Sequence, residues 1–272
     1  MANKVKSVWF CTSCGNESSK WMGKCPACGE WNTMVEETVA TGKRQNQSAN
    51  VPGKSQKPMP LSEIDSSKES RISLNNNEFD RILGGGIVEG SLVLIGGEPG
   101  IGKSTLSLQI PLMCPELKTL YVTGEESARQ VKLRAARIGG TDSNCLIYSE
   151  TLMENILAEA RGIMPDLMIV DSVQTMFSQN VESSPGSISQ IKETAAQLLR
   201  FAKETGVPVI LIGHITKEGS IAGPKILEHI VDVVLQFEGD NRGTYRLLRS
   251  IKNRFGSTSE LAVFEMTGKG LR

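Results

Sequence analysis

The chain has 272 residues, 39% of them apolar and 22% charged, which is enough for one sizeable core and a small appendage. Lys plus Arg and Asp plus Glu both total 30, so the formal net charge is zero and global steering towards nucleic acid is excluded; any such contact falls to local loops. The sequence has no run of about 18 apolar residues to make a transmembrane helix. Its start, MANKVKSVWFCTSCG, has no apolar core of the secretory-signal kind, so a cytoplasmic protein is expected.

In a reducing compartment the six cysteines are free thiols or metal ligands rather than disulfides. Residues 1–34 hold four of them and all three tryptophans, Trp9, Trp21 and Trp31. CTSCG (11–15) and CPACG (25–29) are matched Cys-x-x-Cys-Gly units, and each turns tightly enough to aim two sulfurs at one ion. Cys11, Cys14, Cys25 and Cys28 therefore make a tetrahedral thiolate set suited to Zn²⁺. A segment this short cannot build its own core, which favours a structural metal. Iron of the rubredoxin kind and a redox Cys-x-x-Cys pair are the alternatives. The tryptophans are expected to pack around the site, with stacking on bases as the other reading. Cys114 and Cys145 lie in apolar runs and read as core.

Residues 35–70 are polar, rich in Ser, Lys, Gln and Pro, and without apolar periodicity; they read as a flexible linker. Residues 71–272 alternate apolar runs with helical patterns, which predicts an α/β domain on a mostly parallel sheet. Strands are expected at 92–96, 119–123, 144–148, 167–171, 207–213 and 231–237. A turn at EGDNRG should then return the chain as a strand through TYRLLRSIKNR. The clearest helices are 127–138 and 188–205, the second with an apolar stripe from Ile188 and Ile191 to Ala202. Pro111 should shorten or kink the helix after residue 103.

GEPGIGKST, comprising Gly97, Glu98, Pro99, Gly100, Ile101, Gly102, Lys103, Ser104 and Thr105, fits the phosphate-loop pattern Gly-x-x-x-x-Gly-Lys-Ser/Thr. It follows a predicted strand and opens a predicted helix, so backbone N–H groups and the helix's positive end face a phosphate. Lys103 reaches the β/γ-phosphates and the Ser104 hydroxyl binds Mg²⁺ on this reading. LMIVDS ends a strand in Asp171, a second Mg²⁺ contact. YVTGEES ends another with Glu125, the favoured residue to orient or deprotonate the attacking water, and Glu126, the second choice. Glu126 is equally a first-turn acid of the following helix. His214 in LIGHITKEG is a candidate γ-phosphate sensor; the plainer alternative is a structural histidine.

The order of these motifs, from the Cys-x-x-Cys-Gly pair through EFDRILGGGIVEGSLVLIGGEPGIGKSTL, YVTGEES, MIVDS, GHITKEG and IKNRFG, resembles the bacterial RadA (Sms) family of the RecA/DnaB group of motor ATPases. The resemblance spans nearly everything but the linker. It implies a RecA-like P-loop core in a ring hexamer with ATP between subunits. It further implies DNA repair by recombination: DNA-dependent hydrolysis, movement on single-stranded or branched DNA, branch migration, and work beside a recombinase filament. KNRFG resembles a Lys/Arg finger pair, which would make Lys252 and Arg254 cations that reach a neighbour's γ-phosphate; the alternative is two solvated charges. DNA contacts in such a ring lie on 174–187 and 216–225. The first loop has no Lys or Arg, so the candidates are Lys217, Lys225, Lys192 or Arg200 for phosphates and Phe177 for a base. The family's usual Lon-like C-terminal domain is expected beyond the motor, and the sequence ends at Arg272 without it. The rivals are a KaiC-type signalling ATPase, disfavoured by the knuckles and the single P-loop, and a non-hydrolysing, nucleotide-gated DNA-binding fragment.

Overall fold

In a computed structural model the chain is described at residues 5–40, 60, 63, 70–140, 143–214, 224–239 and 243–272. The N-terminal part is a three-stranded antiparallel sheet in the order β2-β1-β3, with β1 at Val5–Cys11, β2 at Glu17–Ser18 and β3 at Met34–Ala40. β3 pairs with β1 along its whole length, from Cys11 with Met34 to Val5 with Ala40. Residues 35–40, read from polarity as linker, are therefore strand. Glu36 and Glu37 sit on a strand whose partner is β1, and that pairing outweighs their low strand propensity.

The rest is built on a nine-stranded sheet in the order β14-β13-β12-β11-β6-β10-β9-β7-β8. β6 (Leu92–Gly97), β7 (Thr119–Thr123), β8 (Cys145–Ser149), β9 (Leu167–Asp171), β10 (Val209–His214) and β11 (Val233–Gly239) are parallel. β12 (Tyr245–Asn253), β13 (Leu261–Thr267) and β14 (Gly270–Leu271) extend one edge antiparallel. The minor strands β4 (Arg71–Ile72) and β5 (Ile87–Val88) pair with each other beside it.

The parallel strands read as unbroken apolar runs because both their faces are covered. On one face Leu94, Val122 and Val170 pack against α4 (Met153–Ile163) and α5 (Ile188–Thr205). On the other, Ile95, Tyr121 and Ile169 pack against α1 (Asn77–Leu83), α2 (Lys103–Met113) and α3 (Ala128–Ile138). Each predicted strand and both predicted helices form within two residues of their expected bounds. α3 starts on a capping box of Ser127 and Gln130, and α5 on Ser187 with Gly206 closing it. α2 runs only two residues beyond Pro111.

The small sheet docks on the α/β domain. Val8 and Phe10 join the α4/α5 core. Glu37 accepts hydrogen bonds from the Ile188 N–H (2.8 Å) and the Ser189 hydroxyl (2.7 Å), and Lys192 donates to the Gly15 carbonyl.

Candidate functional sites

The four cysteines meet as their spacing predicts. Their Sγ atoms all lie within 4.8 Å of one another, with Cys11–Cys28 and Cys14–Cys25 each at 3.6 Å. Tetrahedral thiolates at Zn–S of about 2.3 Å stand about 3.8 Å apart, close to these separations, so the donor set suits such an ion. Trp9 packs on the cluster as expected. Trp21 and Trp31 do not; they are 57% and 67% exposed. The buried cluster at the site is Cys11, Cys25 and Met34, with Trp9 and Cys14 packed against it.

The parallel strands β7, β9, β10 and β6 are consecutive neighbours, so their C-terminal ends form one row. That row brings together Glu125 after β7, Asp171 on β9, His214 on β10 and the phosphate loop after β6, as expected of an open α/β sheet. The loop is shaped for backbone approach. A Cβ at Gly97 would stand 2.7 Å from the Phe237 carbonyl oxygen, and Gly102, before α2, has φ 117°. α2 begins with no side-chain cap and no acidic residue in its first turn, so its leading N–H groups are open to an anion.

The side chains form a chain of contacts. Lys103 is 3% exposed and donates to the carbonyls of Gly97 (2.8 Å) and Glu98 (2.9 Å). Its Nζ lies 3.2 Å from His214 Nδ1, and His214 Nε2 lies 3.0 Å from Glu125 Oε1. The Ser172 hydroxyl donates to the same carboxylate. Burial pushes the Lys103 ammonium down to about 8, while Asp171 and Glu125 pull the other way. The hydrogen bond from His214, with help from Ser172, holds Glu125 down at about 2. Asp171 Oδ2 accepts from the Tyr121 hydroxyl at 2.7 Å, and Oδ1, also buried, has no partner. Burial, with Asp171 alongside, lifts Tyr121 well above its usual range, which fixes it as a donor. An orphaned carboxylate oxygen in this row fits a hydrated cation. Sequence patterning missed Tyr121 and Ser172; both lie inside motif stretches but carry no spacing signal of their own.

Other candidates lie elsewhere. Glu126 pairs with Arg134 of α3; it precedes the N-cap Ser127, so it is not the first-turn acid weighed against catalysis. Phe177 is half-buried, and its backbone bridges to Thr151 and Met153. Lys192 is engaged with Gly15, and Arg200 is exposed. Lys217 and the Lys225 side chain fall outside the described residues. Lys252 donates to the carbonyls of Glu228 and Val231 (2.8 Å), and Arg254 Nη1 to Asp232 Oδ1 at 3.3 Å. Burial, with Arg254 nearby, pushes the Lys252 ammonium below its usual range.

These two cations sit at the other end of the sheet. Lys252 pairs with Val234, which pairs with Leu94 of β6, and the Asp232 N–H donates to the Leu92 carbonyl. Along β6, Gly97 is three residues beyond Leu94 and five beyond Leu92, about 10 and 17 Å at the usual strand rise.

Fold and site together define a RecA-like P-loop ATPase core preceded by a zinc-ribbon domain. A family model described as "AAA domain" matches residues 59–220, and one described as "Rubredoxin metal binding domain" matches 9–36. The chain belongs to the AAA-domain family, and its curated relatives there are named DNA repair protein RadA. The Bacillus subtilis relative is 51% identical over 272 residues, which cover 98% of this chain and 59% of that one. The Listeria monocytogenes relative is 48% identical, covering 100% and 60%; that of Pseudomonas aeruginosa is 46% identical, covering 99% and 60%. The chain thus spans about three-fifths of these relatives' length. Among solved structures, the RadB recombinase matches with a TM-score of 0.58 and 22% identity, covering 73% of this chain and 97% of that one. A KaiC-like protein from Pyrococcus horikoshii matches with a TM-score of 0.60 and 24% identity, covering 75% and 98%. At those identities the likeness speaks of fold alone. No helix among the described residues is long and apolar enough to cross a membrane.

Proposed function

We propose that this chain is the motor portion of a cytoplasmic, ATP-driven machine of recombinational DNA repair. It hydrolyses ATP in response to DNA, moves on single-stranded or branched DNA and promotes branch migration beside a recombinase filament. The phosphate loop from Gly97 to Thr105 binds the triphosphate, and Lys103 leaves its two loop carbonyls for the β/γ-phosphates. Ser104 and the free Oδ1 of Asp171 would hold Mg²⁺, which when bound offsets the phosphate charge. Glu125 orients the attacking water; at a pKa of about 2 it is a poor proton acceptor while His214 holds it. His214, between Lys103 and Glu125, reports the γ-phosphate to the water site. Cys11, Cys14, Cys25 and Cys28 hold Zn²⁺ in a structural role.

The observation that carries this reading is the separation of the two site halves. Lys252 and Arg254 stand too far from this chain's own loop to serve it, so they serve a second copy, in a ring that we take to be a hexamer. A cation supplied in trans is worth roughly 10³–10⁵ in rate and makes hydrolysis depend on assembly. The test mixes two inactive variants. Arg254→Ala supplies an intact loop and Lys103→Ala supplies intact fingers, so mixtures should regain DNA-stimulated hydrolysis that neither shows alone. No recovery at any ratio refutes the shared site.

A further inference from the structure

Arg254 is held in a particular way. Asp232 has a side chain only 1% exposed, at the start of β11, yet it faces two cations whose side chains are about half exposed, Lys203 at 50% and Arg254 at 54%. Its Oδ2 accepts from the Leu92 N–H (3.1 Å) and from Lys203 Nζ (2.9 Å). That leaves Oδ1 for Arg254 Nη1, at 3.3 Å. The backbone repeats the link, since the Arg254 N–H donates to the Asp232 carbonyl at 3.3 Å. A buried carboxylate needs such partners, and it does not move easily once it has them.

The consequence lies in what remains free. A guanidinium carries five N–H donors, and Asp232 takes one. Among the described residues Arg254 has no other side-chain partner, so the remaining donors face outward from a tethered base. Lys252 differs, because both of its hydrogen bonds end on carbonyls of its own chain. The loop after it is braced as well: Arg71 Nη2 donates to the Phe255 carbonyl at 2.7 Å, and Asn253 accepts from the Phe255 N–H at 2.9 Å.

We infer that Asp232 is a positioning residue for catalysis: its buried carboxylate aims Arg254 so that the open guanidinium donors meet the neighbour's transferring phosphoryl group. This rests on the shared-site reading above. It names Asp232 as the group that pre-orients the finger before two copies meet.

The experiment is a double-mutant cycle on the full chain, reading kcat and ATP affinity in the presence of single-stranded DNA. Asp232→Asn keeps an acceptor for Leu92 but loses the charge that holds Arg254. It should lower kcat roughly ten- to hundredfold, the cost of a catalytic group misplaced by about an ångström, with ATP affinity unchanged. Lys203→Met removes the other cation on Asp232 and should stay within about twofold, which a merely structural role for Asp232 does not predict. In an Arg254→Ala background Asp232→Asn should cost nothing further. An equal loss in both backgrounds overturns the inference, because Asp232 would then act through the fold. If Asp232→Asn does not fold, Asp232→Glu, which keeps the charge and shifts it by one methylene, carries the same two predictions. Full kcat in Arg254→Ala alone defeats the shared-site reading itself, whereas a loss there with none in Asp232→Asn defeats only the positioning role.

Discussion

The two edges of the central sheet solve opposite problems. At the C-terminal edge, Lys103, His214, Glu125 and Ser172 are linked in a chain of contacts, and among the described residues there the buried Asp171 Oδ1 and Gln174 Oε1 have no partner. At the N-terminal edge, cations are fixed by groups that use a fraction of their donors, and the rest of Arg254 faces out. On the proposed reading the first edge is a receptor that must break its own contacts to accept a triphosphate. At the second, Arg254 donates to Asp232 and, among the described residues, to no other side chain. Such a pair makes sense where the two edges of different copies come together.

The largest effect that tests this contrast is on kcat. Arg254→Ala should lower it by roughly 10³ or more while leaving ATP affinity within about twofold, since a finger acts on charge that develops in the transition state. Lys103→Ala, at the receptor edge, should lose ATP binding itself. Titration of a fluorescent nucleotide separates the two. If Arg254→Ala weakens binding as much as turnover, the edges are not divided as described. Lys252→Ala sharpens the donor edge. It strands two carbonyls, so it should cost about 1–3 kcal/mol of stability, visible as a melting point lower by a few degrees. Arg254→Ala should lower the melting point less than Lys252→Ala does, because the buried Asp232 carboxylate keeps the Leu92 N–H and Lys203 as partners.

Much of this was legible in the residues. The cysteine spacing and the phosphate loop specify their geometry locally, because each is a short loop whose atoms converge without help from distant chain. The parallel strands were legible for a related reason: burial on both faces writes an unbroken apolar run, as in LMIVD. What the sequence hid depends on register. That Lys252, opposite Val234 of β11, lies level with Leu94 of β6, three residues short of Gly97, follows only from the pairing of β12 with β11 and of β11 with β6. Asp232 is an ordinary acid at a strand's start until Arg254 and Lys203 are brought to it from 22 and 29 residues away. The exposure of Trp21 and Trp31 was misread for the same reason, since composition counts aromatics but does not say how many a four-cysteine cluster can cover. β13 buries Ala262 and Phe264 and exposes Val263, but LAVF reads as an unbroken apolar run, so no period-2 alternation marks the strand in the sequence.

The ribbon offers a check that should spare both edges. Removing the metal with a strong chelator should loosen a domain whose own buried cluster is only Cys11, Cys25 and Met34. Trp9 should then move into water and its emission shift to the red, while Trp21 and Trp31, already exposed, change little. ATP affinity should stay within about twofold, since no ribbon residue lies in the strand-end row. A chelated protein that no longer binds ATP would mean that the ribbon supports the receptor edge after all.

The smallest effect is the most specific to the receptor edge. Burial holds Lys103 down at about 8 in the free chain, so at pH 8 it is close to half protonated. A bound triphosphate favours the ammonium and lifts that value, so binding takes up a proton. The uptake should approach about half a proton at pH 8 and vanish below about pH 6, where Lys103 is already charged. Calorimetric titrations in two buffers of different ionisation enthalpy read the number directly. Lys103→Arg should abolish it, because a guanidinium stays charged throughout. Glu125 cannot mimic the signal: its value is depressed to about 2, so it remains ionised across this range, and any stability it adds is lost only as pH falls from about 4.5 towards 2. Uptake that persists in Lys103→Arg would show that the lysine is not the group that changes state when the nucleotide arrives.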